Sequence, residues 1–318
     1  MIQPEILADT AAGHARAADL LRQGALVALP TETVYGLAAD ATNDAAVAAI
    51  FTAKGRPGFN PLIVHVPDRA TAETLAAFSD SARALADAFW PGPLTLVLPL
   101  KPGHGLSARV TAGLPSVAIR VPAHPAMQAV LRAAARPIAA PSANPSGKIS
   151  ATCAAHVLAG LGDKIGAVLD AGPCTVGVES TILAPEPGGT RLLRDGGIPR
   201  EAIAPLTGPL ISDTTPGAKI QAPGQLASHY APKTPLRLGG APTPDTIFIG
   251  FGPMACDVNL SPKGHLAEAA TQLFAALHQA DAMAAARNAA AIIVADIPDH
   301  GLGRAINDRL RRAAAPQT

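Results

Sequence analysis

Apolar and polar residues follow one another in short blocks over the first 140 residues and predict alternating helices and strands. Helical spacing over 12–23 predicts a helix that stops at Gly24, and the apolar run 25–29 predicts a strand. Further strands are predicted at 61–67, 94–98, 117–121 and 137–140, with helices at 43–53, 71–89 and 124–135. This alternation favours an α/β fold, with a twisted mixed sheet flanked by helices.

The pattern changes between 208 and 237, where prolines and glycines interrupt every apolar period. Beyond this stretch, strands at 246–251 and 291–296, a helical stripe over 266–277 and a basic amphipathic helix at 303–314 predict a second, smaller α/β domain. The sequence therefore predicts a large domain at 1–207, an interdomain linker at 208–237 and a small domain at 238–318. The small domain shows no catalytic cluster of its own.

Composition narrows the class of protein. Hydrophobic residues make up 48% of the chain and charged residues 15%, so a large core can form and a mainly disordered protein is excluded. The net charge of +1 offers no global attraction to nucleic acid or to an anionic membrane, so any anion site must be local. Three widely spaced cysteines, the lack of a signal peptide and the lack of a long apolar run predict a cytoplasmic protein without membrane contact.

The common nucleotide and hydrolase motifs are missing. The Gly-Lys pair of SGKIS at 146–150 lacks the first glycine of a phosphate-binding P-loop, and GLGRAI at 301–306 lacks the third glycine of a dinucleotide fingerprint. Neither the HExxH nor the GxSxG motif occurs. Standard P-loop enzymes, Rossmann oxidoreductases, zinc proteases and α/β-hydrolases therefore lose support.

Several polar clusters interrupt the apolar pattern at strand ends and turns. They are PTETVYGL at 30–37, KGRPGFN at 54–60, Arg120, PSANPSGKISAT at 141–152, VESTI at 178–182 and LLRDGG at 192–197. Because α/β proteins bind ligands where such segments meet, their co-occurrence predicts a polar substrate cleft.

Each cluster also has a plainer interpretation. Thr31 and Thr33 could satisfy turn amides, and Lys54 with Arg56 could form a solvated surface pair. His65 could be a hydrogen-bonded core histidine, and Thr152 could cap a helix. Arg120 lies among apolar residues and needs an anionic partner, either a ligand or a structural carboxylate.

In this order, the segments resemble the YrdC-domain threonylcarbamoyl-AMP synthases. PTETVYGL, KGRP with NPLIVHV, PGPLTLVL, VAIRVP, PSAN, ESTI and LRDGGI span about 20–200. HYAPKTPL at 229–236 resembles the linker of the family's long form, and NLSPKGHLAEAATQLF and GLGRAINDRLRRAA resemble its terminal domain. The resemblance covers essentially the whole chain.

The resemblance implies an enzyme that converts L-threonine, bicarbonate or CO2 and ATP into threonylcarbamoyl-AMP and pyrophosphate. Separate transfer proteins would then use this product to modify adenosine 37 of tRNA, and a weak direct contact with tRNA stays open. The resemblance implies Mg2+ bound with ATP and no protein ligands for it. No acid, base or nucleophile is assigned, because the step calls mainly for positioning and charge neutralisation.

The resemblance also assigns residues to the two substrates. Those expected to enclose L-threonine are Thr33, His65, Arg120, Ser142 and Ser180. Those expected to contact ATP are Lys54, Arg56, Asn60, Ser116, Asn144, Thr152, Arg194 and Tyr230. Arg120 suits the threonine carboxylate, because a planar guanidinium can hold two oxygens at once. With Tyr230 over the nucleotide, the linker would act as a lid that excludes water.

Two other functions stay open. A carbamoyltransferase that uses carbamoyl phosphate could contain a similar module, although the additional domains of such enzymes are not evident in the sequence. An RNA-binding module without catalysis is disfavoured by the balanced charge and by an aromatic content of 3%.

Overall fold

A large mixed sheet forms the first part of the fold. The computed structural model describes residues 3–212 and 228–316. Over this part of the chain the first eleven strands are β1 (Glu5–Ala8), β2 (Val27–Leu29), β3 (Gly36–Asp40), β4 (Ile63–His65), β5 (Leu94–Pro99), β6 (Ser116–Arg120), β7 (Ile138–Ala139), β8 (Ala167–Asp170), β9 (Thr181–Glu186), β10 (Gly189–Arg194) and β11 (Ile211–Ser212). They pair in the order β1-β8-β2-β3-β7-β4-β6-β5-β9-β10-β11.

The sheet contains both strand orientations. Strand β4 runs parallel to β6, whereas β7 runs antiparallel to β4 and β5 runs antiparallel to β6. The accompanying helices are α1 (Ala11–Arg22), α2 (Asp44–Lys54), α3 (Arg69–Leu75), α4 (Asp80–Phe89), α5 (Ala108–Thr111), α6 (Pro125–Ala134), α7 (Ala154–Leu161) and α8 (Arg200–Thr207), with a 3-10 turn at Gly162–Lys164. The predicted mixed α/β sheet flanked by helices is confirmed.

Local signals set most element ends. Helix α2 begins after Asn43, whose side chain accepts hydrogen bonds from the amides of Ala45 and Ala46, and it ends at Gly55 with a φ of 62°. The helical pattern predicted over about 71–89 is observed as two helices, α3 and α4. Ala76 pairs with Leu100 between them, and Ser79 caps the second helix.

The second sheet is smaller and entirely parallel. It is formed by β12 (Leu236–Leu238), β13 (Thr246–Gly250), β14 (Val258–Asn259) and β15 (Ala291–Val294), in the order β12-β15-β13-β14. Its helices are α9 (Leu266–Arg287) and α10 (Gly303–Ala314). The predicted second, smaller α/β unit is confirmed.

The two units share apolar packing. The core of the terminal unit takes in Val34, Ile149 and Val178 of the large unit, together with Tyr230. The domain boundaries 1–207, 208–237 and 238–318 stay a prediction, and residues 213–227 of the expected linker lie outside the described residues. Among the described residues, no helix has both the length and the apolar character needed to cross a membrane.

Candidate functional site

A cleft with an empty volume of about 550 Å³, open mouth included, lies over strands β3, β4, β6 and β7. Ile63 and His65 both line it, because residues two apart on a strand point to the same face. Arg120 pairs with His65 in the register of β4 and β6, so the two polar side chains lie side by side. The cleft therefore lies over the face of the sheet as well as at strand ends.

The structure brings the whole expected threonine group and part of the expected ATP group to this cleft. All those expected to enclose threonine line it, namely Thr33, His65, Arg120, Ser142 and Ser180. Three expected to contact ATP also line it, namely Arg56, Arg194 and Tyr230. Residues from distant parts of the sequence thus converge on one surface.

Arg120 is held in the cleft by three partners. Its Nε donates to the carbonyl of Gly92 at 3.1 Å, and its Nη1 donates to Oγ1 of Thr33 at 2.8 Å. Its Nη2 lies 2.6 Å from Oε1 of Glu32, an ion pair whose angles are not those of a hydrogen bond. The structural carboxylate that the sequence left open as a partner of Arg120 is therefore Glu32. Each Nη nitrogen carries a second hydrogen that can meet an incoming carboxylate.

Burial raises the pKa of Glu32, but the charge of Arg120 and nearby polar groups lower it by more, so the pKa lies below its usual value. Whereas Glu32 is favoured in its charged form, His65 is favoured in its neutral form. Burial, aided by the charge of Arg120, lowers the pKa of His65 to about 3. His65 is therefore neutral near pH 7, and its buried Nδ1 has no hydrogen-bond partner among the described residues.

Thr31 and Thr33 of the PTET segment have different hydrogen-bond partners. Thr31 Oγ1 donates to the carbonyl of Val34 at 2.6 Å and accepts from the amide of Thr33 at 3.2 Å. The turn interpretation is correct for Thr31, since its hydroxyl closes the turn. Thr33 instead presents its hydroxyl to Arg120.

Ser180 and Arg194 lie in direct contact. Arg194 donates from Nε and Nη2 to the carbonyl of Ser180 at 3.1 and 2.9 Å, and from Nη2 to its Oγ at 3.1 Å. The Ser180 hydroxyl also bonds Oγ1 of Thr95 at 2.7 Å. Gly196 allows this contact, because a Cβ there would lie 2.3 Å from the carbonyl carbon of Ser180.

Arg56 is fixed by carbonyls of its own loop. Its Nε donates to the carbonyl of Asn60 at 3.2 Å and its Nη2 to that of Pro61 at 2.8 Å. Burial, aided by the nearby charge of Arg194, lowers the pKa of Arg56 to about 10. Burial likewise lowers the pKa of Arg194 to about 10. Both remain cations at neutral pH and face the same cleft.

Lys54 lies outside the cleft lining. Its side chain is 4% exposed, and Nζ donates to the carbonyls of Ser142 and Asn144. The interpretation of Lys54 as a solvated surface residue is wrong. Burial, with the charge of Arg56, holds its pKa well below the ordinary value. Its expected contact with phosphate stays a prediction, since the structure uses its ammonium group to hold the PSAN loop.

The other expected ATP contacts also lie outside the lining: Asn60, Ser116, Asn144 and Thr152. Asn60 and Asn144 are buried, and the Oδ1 of each lacks a hydrogen-bond partner within the described part of the chain. Ser116 begins β6, four residues from Arg120, which is about 13 Å along a strand. Thr152 bonds His156 at 3.3 Å, whereas Cys153 precedes α7 and makes no side-chain cap.

The end of the linker reaches the cleft at Tyr230. This side chain is 1% exposed and has a φ of 65°. The Ala231 amide donates to the carbonyl of Gly147 at 2.8 Å, so the segment is tied to the loop of the large unit. The ring of Phe274 in α9 lies 5.4 Å from the Tyr230 ring. Tyr230 therefore contacts both units while it lines the cleft.

Sequence reasoning gave no role to three residues of the site. Glu32 pairs with Arg120, and Glu179 and His229 line the cleft. Each is adjacent in sequence to an assigned residue, and this adjacency was the available signal. Burial lowers the pKa of His229 to about 3, so this imidazole is neutral as well.

The donor set does not form a chelating metal site. Among the residues that the structure describes, no group of three or more His, Cys, Asp or Glu side chains could hold a metal ion. Glu179 of the cleft accepts from Ser150 through Oε1 and pairs with Arg309 through Oε2. The cleft instead presents guanidinium groups, which suit an anionic ligand.

Two family models match the chain. Residues 19–196 match the Sua5/YciO/YrdC model, described as "Telomere recombination". Residues 198–315 match the model described as "Threonylcarbamoyl-AMP synthase, C-terminal domain". Together they span both structural units.

Individual relatives agree with these models. A threonylcarbamoyl-AMP synthase of Bacillus subtilis is 42% identical, over 94% of this chain and 92% of its own length. One from Pyrococcus abyssi is 38% identical over 94% of this chain and 93% of its own length. The crystal structure of P. abyssi Sua5 complexed with L-threonine superposes with a TM-score of 0.89 at 36% identity, covering 98% of this chain and 97% of that one.

Proposed function

Because this chain belongs to the Sua5/YciO/YrdC family and carries the threonylcarbamoyl-AMP synthase C-terminal domain, we propose that its cleft joins L-threonine, bicarbonate or CO2 and ATP. The threonine amine is carboxylated to a carbamate, with loss of water from bicarbonate or of a proton when CO2 reacts. A carbamate oxygen then attacks the α-phosphorus of ATP, and the bond to the β-phosphate oxygen breaks. The products are threonylcarbamoyl-AMP and pyrophosphate.

The threonine lies in the part of the cleft formed by Arg120, Thr33, His65, Ser142 and Ser180. Arg120 binds its carboxylate, because two N–H groups of one guanidinium can meet two carboxylate oxygens. Glu32 holds the guanidinium through its ion pair with Nη2. Neutral His65 offers a hydrogen-bonding nitrogen without adding a second charge beside Arg120.

ATP lies against Arg56 and Arg194. Both are cations near pH 7 and neutralise charge that develops on the phosphates as pyrophosphate leaves. Oδ1 of Asn60 and Oδ1 of Asn144 have no hydrogen-bond partner among the described residues, and we propose that each accepts a hydrogen bond from the nucleotide. The remaining proposed contacts are Lys54, Ser116, Thr152 and Tyr230, with Tyr230 and the linker as the lid.

Bound with ATP, Mg2+ would help to neutralise the phosphate charge without requiring ligands from the protein. This suits a cleft rich in guanidinium groups, because Mg2+ retains several waters and is commonly bound through substrate phosphates. The residues themselves bind, orient and exclude water, and the reaction needs no covalent protein intermediate.

The contact between Ser180 and Arg194 is the observation that carries this proposal. A residue of the threonine group and a residue of the ATP group share three hydrogen bonds, at 3.1, 2.9 and 3.1 Å. Two substrates held by these side chains are therefore neighbours, as attack of a carbamate on the α-phosphorus requires.

The product contains a reactive mixed anhydride and is passed to separate proteins that transfer the threonylcarbamoyl group to tRNA. We place this chemistry in the cytoplasm, where the tRNA that accepts the threonylcarbamoyl group is used. A weak direct contact with tRNA through the cleft's cations belongs to the same proposal.

The test is pyrophosphate release by the purified full chain. We expect release only when L-threonine, bicarbonate and ATP are all present, with Mg2+. Activity with carbamoyl phosphate in place of threonine and bicarbonate would favour a carbamoyltransferase. If no pyrophosphate forms and RNA binds with a steep salt dependence, an RNA-binding module is the correct function.

A further inference from the structure

Arg309 is a charged residue that the terminal unit buries completely. It lies on α10, in the helix predicted to be basic and amphipathic, and its relative exposure is 0%. Arginine is almost never fully buried unless it is paired. Its partners therefore indicate what this position does.

Nη1 of Arg309 contacts Oδ2 of its neighbour Asp308 at 3.2 Å, and its other partners belong to the large unit and to the linker. Arg309 Nε donates to Oε2 of Glu179 at 3.0 Å, and Nη1 donates to the carbonyl of Asp195. Its guanidinium carbon lies 5.7 Å from the centre of the Tyr230 ring, within the range of a cation–π contact. One side chain of the terminal unit thus touches three separate segments.

Each of these other partners is next to, or is itself, a residue of the proposed site. Glu179 precedes Ser180, and Asp195 follows Arg194, while Tyr230 lines the cleft directly. A shift of Arg309 would move the backbone on the threonine side and on the nucleotide side together. A displacement of about 1 Å is enough to lower a rate by roughly 100-fold.

Stabilisation of the fold is by itself a weak explanation for the buried ion pair of Arg309 with Glu179. A buried ion pair loses most of its Coulombic gain to desolvation, and apolar residues of similar volume are often as stable. The ion pair of Arg309 and Glu179 defines a geometry, because Ser150 donates to the other carboxylate oxygen of Glu179 at 2.7 Å. Both carboxylate oxygens are therefore fixed, which fixes the segment that leads into Ser180.

Adjacent contacts support the same docking. Thr271 of α9 donates from Oγ1 to the carbonyl of Thr175 at 2.9 Å, and His278 Nε2 lies 3.2 Å from the carbonyl of Ser150. Gly177 packs directly against α9, where a Cβ would lie 2.4 Å from Cα of Thr271. The segment from Thr175 to Ser180 thus lies against the terminal unit along its length.

We propose that Arg309 is a positioning residue through which the terminal unit sets the placement of Ser180, Arg194 and Tyr230. This rests on the proposed function for the identity of the substrates. It gives the terminal unit a role in catalysis without a catalytic residue of its own.

The variants are Arg309→Lys, which keeps the charge but loses the planar guanidinium, and the double variant Arg309→Met with Glu179→Gln, which removes both charges of the buried ion pair. The matched control is Arg304→Met on the same helix, whose guanidinium pairs with Glu201 at 2.6 Å and is partly exposed. Thermal unfolding of the full chain is measured first for every variant.

Kinetics then separate positioning from support of the fold. For Arg309→Lys we expect KM for threonine and KM for ATP to rise together and kcat/KM to fall by about 10- to 100-fold, with unfolding close to that of the unaltered chain. Arg304→Met should leave all three parameters within about twofold. Unchanged kinetics in folded Arg309→Lys would overturn the proposal, and so would failure of both Arg309 variants to fold.

A binding measurement keeps this test separate from the proposed function. Titration calorimetry with L-threonine, and with ATP and Mg2+, is run on the same proteins. If the unaltered chain releases no pyrophosphate, the proposed function fails, and the calorimetry decides on Arg309. Weaker binding of both ligands to Arg309→Lys supports the positioning role, whereas equal binding refutes it.

Discussion

Nη2 of Arg120 lies 2.6 Å from Oε1 of Glu32, and the two side chains are only 4% and 9% exposed. The cation proposed to bind the threonine carboxylate therefore already has a carboxylate partner. Removing one member of a buried ion pair strongly destabilises a fold because the remaining charge has no partner. The geometry of Arg120 thus depends on a residue that touches no substrate in the proposal.

Glu32→Gln should destabilise the protein by about 3 kcal/mol at pH 7 because Arg120 loses its buried partner. The pKa of Glu32 lies below its usual value of 4.5, so this stability is present above pH 4.5 and is lost as the pH falls through the folded-state pKa. Urea unfolding as a function of pH measures both effects. Glu201→Gln is the control, because its ion pair has the same 2.6 Å distance but Glu201 is 54% exposed. Equal losses in the two variants would contradict the prediction.

Arg120→Ala and Arg56→Ala should have different substrate dependences. Arg120→Ala should raise KM for threonine by tenfold or more, and Arg56→Ala should chiefly raise KM for ATP, since a hydrogen bond to a charged group contributes about 1.5–3 kcal/mol. Steady-state pyrophosphate release, with one substrate varied at a time, measures the two effects. An equal loss of folded protein in both variants would show that the cations are structural.

Lys54→Met separates two roles of the lysine. If Lys54 mainly holds the carbonyls of Ser142 and Asn144, the variant should lose about 1–3 kcal/mol of unfolding free energy without any ligand. Lys101→Met is the control, because Lys101 donates to the carbonyl of Glu73 at an exposed position. Unchanged stability with a raised KM for ATP would instead favour direct phosphate contact.

Buried neutral histidines predict a second pH dependence. Burial lowers the pKa of His65 to about 3, whereas in the unfolded chain it is near 6.5. Between these values the unfolded state binds a proton that the folded state does not, so acidification from pH 6.5 favours unfolding by up to about 1.4 kcal/mol per pH unit. His65→Asn should flatten the pH dependence of urea unfolding, and His300→Asn, at an exposed position, should not. Parallel curves for the two variants would refute the burial effect.

Gly177→Ala tests the docking of the two units. Gly177 has a φ of 77°, and a Cβ there would clash with Thr271 at 2.4 Å. Gly172→Ala is matched in backbone strain, since its φ is 78° and nothing lies within 4 Å of its Cβ position. We expect Gly177→Ala to lose about 1–3 kcal/mol more than Gly172→Ala in chemical denaturation. A similar loss of unfolding free energy in the two variants would show that the interface can accommodate the added methyl group.

Short-range patterns predicted many of the elements. The helix over 12–23 is observed as Ala11–Arg22, and the strand over 246–251 as Thr246–Gly250. They were predictable because capping residues and apolar periods act within a few residues. The place where α3 ends and α4 begins was not predicted; Ser79 gives a local capping signal there, but the pairing of Ala76 with Leu100 joins residues far apart in sequence.

The polar segments of the sequence, with their resemblance to one family, were sufficient to name eight residues that line the cleft and the chemistry expected there. Only the tertiary structure decided which of those charges face a ligand and which hold the protein together. Lys54 bonds carbonyls 88 and 90 residues away, and Arg309 meets Glu179 across 130 residues. The partner of a charged side chain depends on where chain folding places distant backbone and carboxylate oxygens, and no local pattern records that distance.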